Sequence, residues 1–246
     1  MIKQIAPDAD VIDITHGIPP QHVLQGAIVL ANTVPYMPVG VHMAVVDPGV
    51  GGPRKAIAAR GGDGRLYVGP DNGLLLVAAD RLGGVAEAVE LANTKYMLEP
   101  VSRTFHGRDI FAPAAAHLAC GAELGEFGEA IDPGDLERLE VPEPHVGSSR
   151  IRATVLYVDR YGNVQLNLTR DHLEDAGIGP GSKVELEVGW DRVYAVAART
   201  FADARPGDVV VYEDAYRNIA LAINRGSAAQ MLRVTVGQEI RLAHAS

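Results

Sequence analysis

The stretch Val41-His-Met-Ala-Val-Val46-Asp47-Pro48-Gly49 is an apolar run that stops at a strong turn signal, and it predicts a buried strand. Further strand-like and helix-like segments alternate around it in the first half of the chain. The strand-like segments are 11–14, 56–59 and 65–68, and the helix-like segments are 20–32, 72–81 and 108–121. Short strands separated by helices predict an α/β domain with a largely parallel sheet over residues 1–138.

The second half of the chain has a different pattern. Val141-Pro-Glu-Pro-His-Val-Gly-Ser-Ser149 shows no periodicity, so residues 139–149 are predicted to be a linker. Residues 150–246 then alternate β-rich runs with turn clusters, which predicts a small β-barrel-like or sandwich domain. The β-rich runs are 152–158, 183–188, 192–198, 209–212, 219–223 and 238–242. No internal repeat is recognisable.

Composition narrows the class of protein. Apolar residues make up 47% and charged residues 22%, which is typical of a folded globular protein. The net charge of −9 without a Lys/Arg cluster argues against a nucleic-acid partner. No apolar run reaches the length of about 20 residues that a membrane helix needs, and the start lacks a signal-peptide pattern, so a cytoplasmic protein is expected. The single cysteine, Cys120, excludes an intrachain disulfide, and we expect it to be buried.

The first candidate site is Val45-Val-Asp47-Pro-Gly-Val-Gly51-Gly-Pro-Arg54. In open α/β sheets, ligands bind outside the carboxyl ends of strands, where Asp47 would lie. A turn in which Asp47 accepts hydrogen bonds from its own backbone is an equally open interpretation. A phosphate-binding loop is not indicated, because no Gly-Lys-Ser/Thr follows the glycines.

The second candidate site is Thr104-Phe-His106-Gly-Arg-Asp109, immediately before a predicted helix. Loop residues beside element ends carry function disproportionately, although a solvated or capping histidine would give the same local pattern. His117 lies on an Ala/Leu face of the helix and is predicted to be structural. A third segment, Asp159-Arg-Tyr161-Gly-Asn163, offers polar and aromatic groups that a plain hairpin turn would also explain.

Six ordered segments together resemble one family, although each alone is weak. These segments are 13–20 (Asp-Ile-Thr-His-Gly-Ile-Pro-Pro), 46–51 (Val-Asp-Pro-Gly-Val-Gly), 68–74 (Val-Gly-Pro-Asp-Asn-Gly-Leu), 105–113 (Phe-His-Gly-Arg-Asp-Ile-Phe-Ala-Pro), 159–163 (Asp-Arg-Tyr-Gly-Asn) and 222–229 (Ala-Ile-Asn-Arg-Gly-Ser-Ala-Ala). In this order they resemble the S-adenosylmethionine hydroxide adenosyltransferases, the hydrolase relatives of the adenosyl fluorinase and chlorinase.

The resemblance implies an α/β domain joined by a linker to a β-barrel-like domain. It also implies a homotrimer, with each active site between the α/β domain of one subunit and the small domain of the next. The family's hydrolases carry an Asp-Arg-His triad, which falls on Asp47, Arg54 and His106. The halogenases have an aromatic residue and a serine in the places of Asp47 and His106, so the resemblance favours hydrolysis.

The resemblance also implies substrate contacts. Asp159 would receive the methionine amino group, while Asn163 and the ring of Tyr161 would contact adenosine. Phe105 would pack at the sugar or the adenine.

Two further contacts would come from backbone groups. The turn at Asn224 and Arg225 would present its backbone to the adenine edge. Ala215 and Tyr216 fall where relatives bind the methionine carboxylate, but their side chains differ from those of the halogenases, so only backbone atoms would act there.

The implied reaction is in-line attack of water or hydroxide at C5′ of S-adenosylmethionine, giving adenosine and methionine. The sulfonium is already a good leaving group, so neither a metal nor a further cofactor is expected. The alternatives are a halide adenosyltransferase and a non-catalytic protein that binds S-adenosylmethionine or adenosine. Adenosine release would separate an enzyme from a binding protein.

Relatives in this family begin with a strand carrying Thr-Asp-Phe-Gly, ahead of the segment that matches 2–7. Its aspartate grips the ribose hydroxyls, so no residue of this sequence is assigned that contact. We expect the strand's place in the sheet to be empty or filled by another segment, and we expect this form to bind S-adenosylmethionine poorly.

Overall fold

The computed structural model describes residues 1–245, apart from the side chain of residue 202. The chain divides into two compact units, Met1–Glu140 and a second one that begins at Val141. No helix within residues 1–245 is long and apolar enough to cross a membrane.

The first unit combines helices with one sheet. Its helices are α1 (Ile2–Ile5), α2 (Val23–Thr33), α3 (Leu76–Arg81) and α4 (Ala112–Ala119). Its strands are β1 (Val41–Met43), β2 (Ala56–Gly61), β3 (Leu66–Pro70), β4 (Val85–Glu90) and β5 (Ala130–Ile131).

The sheet has the order β1-β3-β2-β4-β5, which confirms a mixed α/β fold. Only β1 and β3 pair in parallel, whereas β2–β3, β2–β4 and β4–β5 are antiparallel, so the predicted largely parallel sheet is wrong. The cause is visible between β2 and β3, where Asp63 accepts a hydrogen bond from the Arg65 backbone N–H and Gly64 adopts φ +87°. Such a tight turn returns the chain antiparallel, whereas parallel neighbours need a long crossover.

Alternate residues of β2 pack on opposite faces of the sheet, as the two-residue period of a strand requires. Ala56 and Ala58 lie with Phe111 in one core cluster. Ile57 and Ala59 lie with Leu30 of α2 in the other. The sheet is therefore covered on both faces, and Phe111 anchors the segment leading into α4.

Two smaller predictions about the first unit are wrong. Residues 11–14 form no strand, and Val11 and Ile12 are exposed. Cys120 is exposed at the C-terminal end of α4, where its thiol lies 3.8 Å from the Ile5 carbonyl oxygen.

The second unit is a closed barrel, which confirms the predicted β-barrel-like domain. Its strands are β6 (His145–Val146), β7 (Arg150–Val158), β8 (Val164–Leu166), β9 (Lys183–Val188), β10 (Asp191–Ala197), β11 (Val209–Glu213), β12 (Ile219–Ile223) and β13 (Glu239–His244). Its helices are α5 (Arg170–Asp175) and α6 (Ala228–Leu232).

The pairing of β13 with β7 closes a ring of seven strands, and β6 lies outside it on the edge of β7. Segment 139–149, predicted to be a linker, therefore contains a short strand. The core is apolar throughout, with fully buried Ile151, Leu186 and Leu242 from three neighbouring strands.

Candidate active site

Asp47 lies in the loop that follows β1. Backbone hydrogen bonds from Ala44 to Val68 (3.1 Å) and from Val50 to Asp47 (3.3 Å) lead the chain from the strand into a turn. The Asn72 side chain holds the other side of the loop by donating to the Val46 carbonyl (2.9 Å). The strand and Asn72 together fix the backbone position from which the Asp47 side chain extends.

Gly51 brings this loop against the loop that precedes α4. Its φ of +76° lies in the left-handed region, which favours glycine. A Cβ at this position would collide with the Arg103 carbonyl oxygen. The close approach of the two backbones is what places Asp47 near His106.

His106 stands at the start of a π-helical turn, Gly107–Phe111, that runs directly into α4. Asp109 in this turn is fully buried. Its carboxylate accepts hydrogen bonds from the Ser102 backbone N–H (2.8 Å) and from Arg108 Nη2 (2.9 Å). These bonds tie the loop to the turn and hold His106 in place.

Arg54 contacts both Asp47 and His106 and so joins the two candidate sites into one cluster. Its Nε donates to both carboxylate oxygens of Asp47 (3.0 and 3.1 Å), and its Nη2 forms a short ion pair with Asp47 Oδ2. The same Nη2 lies 2.8 Å from His106 Nδ1. The guanidinium also lies over the Phe111 ring, 5.3 Å from its centroid.

The Arg54 contact decides the proton distribution on His106. Burial lowers the pKa of His106 and the positive charge of Arg54 lowers it further, against opposing effects of Asp47 and Asp109. Arginine can only donate hydrogen bonds, so His106 Nδ1 accepts and carries no proton. In the neutral ring the hydrogen is then on Nε2, and His106 offers a donor rather than a base.

Asp47 also lines a cavity of about 660 Å³ in the first unit. Thr15, Pro19 and Met43 contribute to its wall. This volume is in the range of small-molecule sites. The 13–20 segment therefore reaches the same recess as Asp47.

The second unit holds the predicted substrate residues Asp159, Tyr161 and Asn163 in one loop. Asp159 accepts from the backbone N–H groups of Tyr161 (2.8 Å) and Asn163 (2.9 Å), and from Asn163 Nδ2 (2.8 Å). Tyr161 is 64% exposed, so its ring is accessible. The hairpin turn is therefore built around the carboxylate that was assigned to the substrate.

This loop has a counterpart that the sequence analysis missed. Asp214-Ala-Tyr216-Arg-Asn218 follows the same pattern as Asp159-Arg-Tyr161-Gly-Asn163. Asp214 accepts from the backbone N–H groups of Tyr216 (2.8 Å) and Asn218 (3.0 Å), and the fourth residue of each loop has positive φ. The spacing Asp-x-Tyr-x-Asn was the available signal, so the chain does contain a short local repeat.

Two further tyrosines belong to this region. Burial raises the pKa of Tyr212 to about 12, with added effects of Asp214 and Asp159. Burial also raises the pKa of Tyr157, with added effects of Asp159 and Tyr216. Carboxylates and aromatic faces in one electrostatic environment suit a cationic ligand.

The segment that follows Asn224 and Arg225 contacts the Asp159 loop. The Gly162 carbonyl accepts from the Ala229 N–H (2.9 Å), and a Cβ on Gly162 would collide with Ser227. Asn224 Nδ2 donates to the Ala204 carbonyl (2.8 Å), so that side chain holds a neighbouring loop. Arg225 adopts φ +65°, in the left-handed region.

Phe105 is 54% exposed beside His106, and the Arg108 guanidinium lies 4.9 Å from its ring centroid. Of the predicted residues, Phe105 and the Asp47–Arg54–His106 cluster belong to the first unit, and the others belong to the second. Within residues 1–245 no three His, Cys, Asp or Glu side chains converge as a metal site.

Comparison with known proteins gives a consistent result over both units. Residues 1–128 match the SAM hydroxide adenosyltransferase N-terminal domain, and residues 153–241 match the C-terminal domain of the same family. The chain is 51% identical to an (R)-S-adenosyl-L-methionine hydrolase of Salinispora arenicola, over 98% of this chain and 89% of the relative. It is 36% identical to an (R)-S-adenosyl-L-methionine hydrolase of Thermus thermophilus, over 98% of this chain and 91% of the relative.

More distant and structural relatives agree with this. A fluorinase of Actinoplanes is 29% identical over 100% of this chain and 91% of its own length. The crystal structure of an uncharacterized conserved protein from Thermotoga maritima superposes with a TM-score of 0.91 at 37% identity, over 99% of this chain and 92% of that one. Both domain matches and the identities above 30% show that the chain belongs to the SAM hydroxide adenosyltransferase family.

Proposed function

We propose that this protein hydrolyses S-adenosyl-L-methionine to adenosine and L-methionine. The observation that carries the proposal is the single Arg54 guanidinium that contacts both the Asp47 carboxylate and His106 Nδ1 (2.8 Å). A buried carboxylate and a neutral imidazole held by one arginine form a site that can position a water molecule. The relatives named as hydrolases support the same reaction.

His106 and Asp47 have different tasks in this proposal. His106 Nε2–H donates a hydrogen bond to the oxygen of the attacking water and orients a lone pair toward C5′. The Asp47 carboxylate accepts a hydrogen bond from the same water and takes its proton as the C5′–O bond forms. Arg54 keeps Asp47 in place and keeps His106 Nδ1 occupied, so the imidazole does not compete for the proton.

The bond changes balance without another reactant. The water oxygen forms a bond to C5′ while the C5′–S bond breaks in line on the opposite side. The sulfur leaves with the electron pair as the neutral thioether of methionine, so it needs no proton. Positioning of water and substrate then supplies much of the acceleration. The proposal therefore includes no metal and no cofactor.

The loops of the second unit suit the cationic end of the substrate. We propose that Asp159 receives the methionine ammonium and that Tyr161 and Asn163 contact the adenosine, with Tyr157 and Tyr212 bordering the same region. Phe105 packs at the sugar or the adenine in this proposal. Backbone groups at Tyr216 contact the methionine carboxylate, and those at Asn224 and Arg225 contact the adenine edge. The relatives' names specify the R configuration, and we propose that this chain also prefers the R epimer at sulfur.

We propose a homotrimer in which each site combines the first unit of one subunit with the second unit of the next, as the family resemblance implies. We also propose a cytoplasmic location. Light scattering would test the trimer directly.

Adenosine release from S-adenosylmethionine tests the activity. The wild-type protein should release adenosine and methionine in equal amounts, and His106→Ala should lose turnover while calorimetry still detects substrate binding. Binding without turnover in the wild type would favour a binding protein instead. Release of 5′-chloro-5′-deoxyadenosine in chloride buffer would favour a halide adenosyltransferase. An assay on separated epimers tests the preference for the R form.

A further inference from the structure

A row of basic side chains crosses three neighbouring strands of the barrel. His145 of β6 pairs with Arg152 of β7, and Arg152 pairs with Arg241 of β13. Directly opposed residues of antiparallel strands place their side chains on the same face. Arg150 is two residues from Arg152 on β7, so it shares that face as well.

This face points away from the barrel core. Ile151 and Leu242, the neighbours of the arginines on β7 and β13, are fully buried in the core cluster. Arg152 and Arg241 therefore project outward, directly opposite each other. Like charges in directly opposed positions destabilise a sheet, so the fold bears a cost for this arrangement.

Nearby carboxylates offset the charge only in part. Glu187 accepts from Arg241 Nη1 (3.0 Å) and lies 3.9 Å from Arg150. Glu239 accepts from Arg241 Nε (3.1 Å) and lies 3.7 Å from Arg152. Three guanidinium groups thus face two carboxylates, and the contacts of Arg150 and Arg152 exceed hydrogen-bond length.

The row borders a cavity of about 380 Å³. The turn between β6 and β7 is closed by a hydrogen bond from Gly147 N–H to the Arg150 carbonyl (2.9 Å), and it contributes Ser148 and Ser149 to the wall of the cavity. Guanidinium and hydroxyl donors around one recess match the several acceptor oxygens of a phosphate group. Arginine is also the side chain best suited to bidentate contact with such oxyanions.

We propose that this recess binds a phosphate group, either as a free ion or on a small organic molecule. Arg150, Arg152 and Arg241 hold the charge, and the Gly147–Ser149 turn supplies neutral donors. The recess lies at the start of β7, whereas Asp159 follows its other end, roughly 25 Å away at 3.3 Å per residue. The proposed ligand is therefore separate from the substrate residues of the same unit.

Thermal unfolding and calorimetry with phosphate probes test the proposal. The probes are inorganic phosphate, pyrophosphate and glucose 6-phosphate, each at an ionic strength matched with KCl. We expect saturable stabilisation of the wild-type protein, because a ligand that binds only the folded state raises its stability with concentration. Preference for the sugar phosphate would identify an organic ligand, and preference for inorganic phosphate or pyrophosphate a free one.

Arg152→Gln should weaken binding at least tenfold. Arg60→Gln is the matched control, because Arg60 lies in β2 of the first unit, contacts Glu87 at 3.8 Å and undergoes the same change of charge. If Arg152→Gln disturbs folding, Arg150→Gln tests the same recess, with circular dichroism to verify the barrel. An equal loss in Arg60→Gln, or a wild-type response that follows only ionic strength, would overturn the proposal.

Discussion

Arg54 is the side chain that contacts both Asp47 and His106 in the candidate site. Its Nε and Nη2 contact Asp47 while Nη2 also contacts His106, and only a planar guanidinium offers several donors in fixed directions. Arg54→Lys keeps the charge but cannot serve both partners. We expect kcat to fall about 100-fold, the order lost when one preorganised donor is removed.

Arg60→Lys is the control for that substitution. Arg60 lies in β2 and its nearest carboxylate contact, Glu87, is 3.8 Å away on the surface. Steady-state kinetics should show wild-type kcat for this variant. Near-normal turnover in Arg54→Lys would show that charge alone suffices at this position.

The His106 imidazole gives the reaction a defined pH dependence. Burial and Arg54 lower the pKa of His106 from the ordinary value of 6.5. The neutral ring is the active form, because protonation would put a hydrogen on Nδ1 against the Arg54 donor. As pH falls, kcat/KM should therefore decline with its midpoint below 6.5, at the lowered pKa of His106.

A pH–rate profile measures this decline at low pH, and the profile of kcat/KM reports the pKa values of the free enzyme. His106→Gln keeps a donor but does not titrate, so its weaker activity should lose the His106 limb of the profile. Activity that instead falls as pH rises through the histidine range would mean that the protonated ring is required. That result would contradict the assignment of His106 as a neutral donor.

At the scale of elements, Gly51 controls how two loops meet. Gly51→Ala introduces a Cβ at φ +76° and against the Arg103 carbonyl oxygen. The left-handed conformation alone costs a non-glycine residue about 1–2 kcal/mol. The collision adds to this and moves the Asp47 loop away from His106, so both unfolding free energy and kcat should fall.

Gly64→Ala separates these two effects. Gly64 has φ +87° in the turn between β2 and β3, with open space where a Cβ would go. It should lose only the conformational part, about 1–2 kcal/mol by denaturant unfolding, and keep wild-type kcat. Equal losses of stability and turnover in the two variants would mean that the contact with Arg103 has no role in the site.

Elements with a local signal were predictable from the sequence. Lys183–Val188 and Ile219–Ile223 form strands with the predicted bounds, because their β-branched residues are enough to show a strand. The antiparallel pairing of β2 with β3 was predictable from strand spacing, because residues 60–64 between the two predicted strands are too few for a parallel crossover. Residues 11–14 were wrongly predicted to be a strand, because a segment with β propensity forms a strand only when a neighbouring strand pairs with it.

The candidate site likewise has features that were predictable from local sequence and features that depend on packing. Asp47 and His106 could be selected from motifs at element ends, but their common contact with Arg54 depends on how two loops pack. In the basic row, His145 and Arg152 come from the two strands of one hairpin, whereas Arg241 comes from β13, which is distant in sequence. Only the register of β6, β7 and β13 places them together. Register is a non-local property, and a shift of one residue would move the side chains of a strand to the opposite face.

At the scale of the whole molecule, the proposed trimer makes a prediction about mixed assemblies. The triad lies in the first unit and Asp159 in the second, so Asp47→Asn and Asp159→Ala damage different halves of a composite site. In a closed ring with head-to-tail contacts, random mixing of the two variants leaves about one quarter of the sites with both halves intact. Adenosine release should therefore recover toward that fraction after subunit exchange.

Two inactive variants of the same unit provide the control for this experiment. Mixing Asp47→Asn with His106→Ala leaves every site with a damaged first unit, so turnover should stay at the level of the separate variants. Native mass spectrometry on isotopically labelled chains verifies that the subunits have exchanged. Recovery in the first mixture alone would follow directly from sites shared between neighbours. No recovery despite verified exchange would place each complete site within one chain, and the proposal of composite sites would then have to be abandoned.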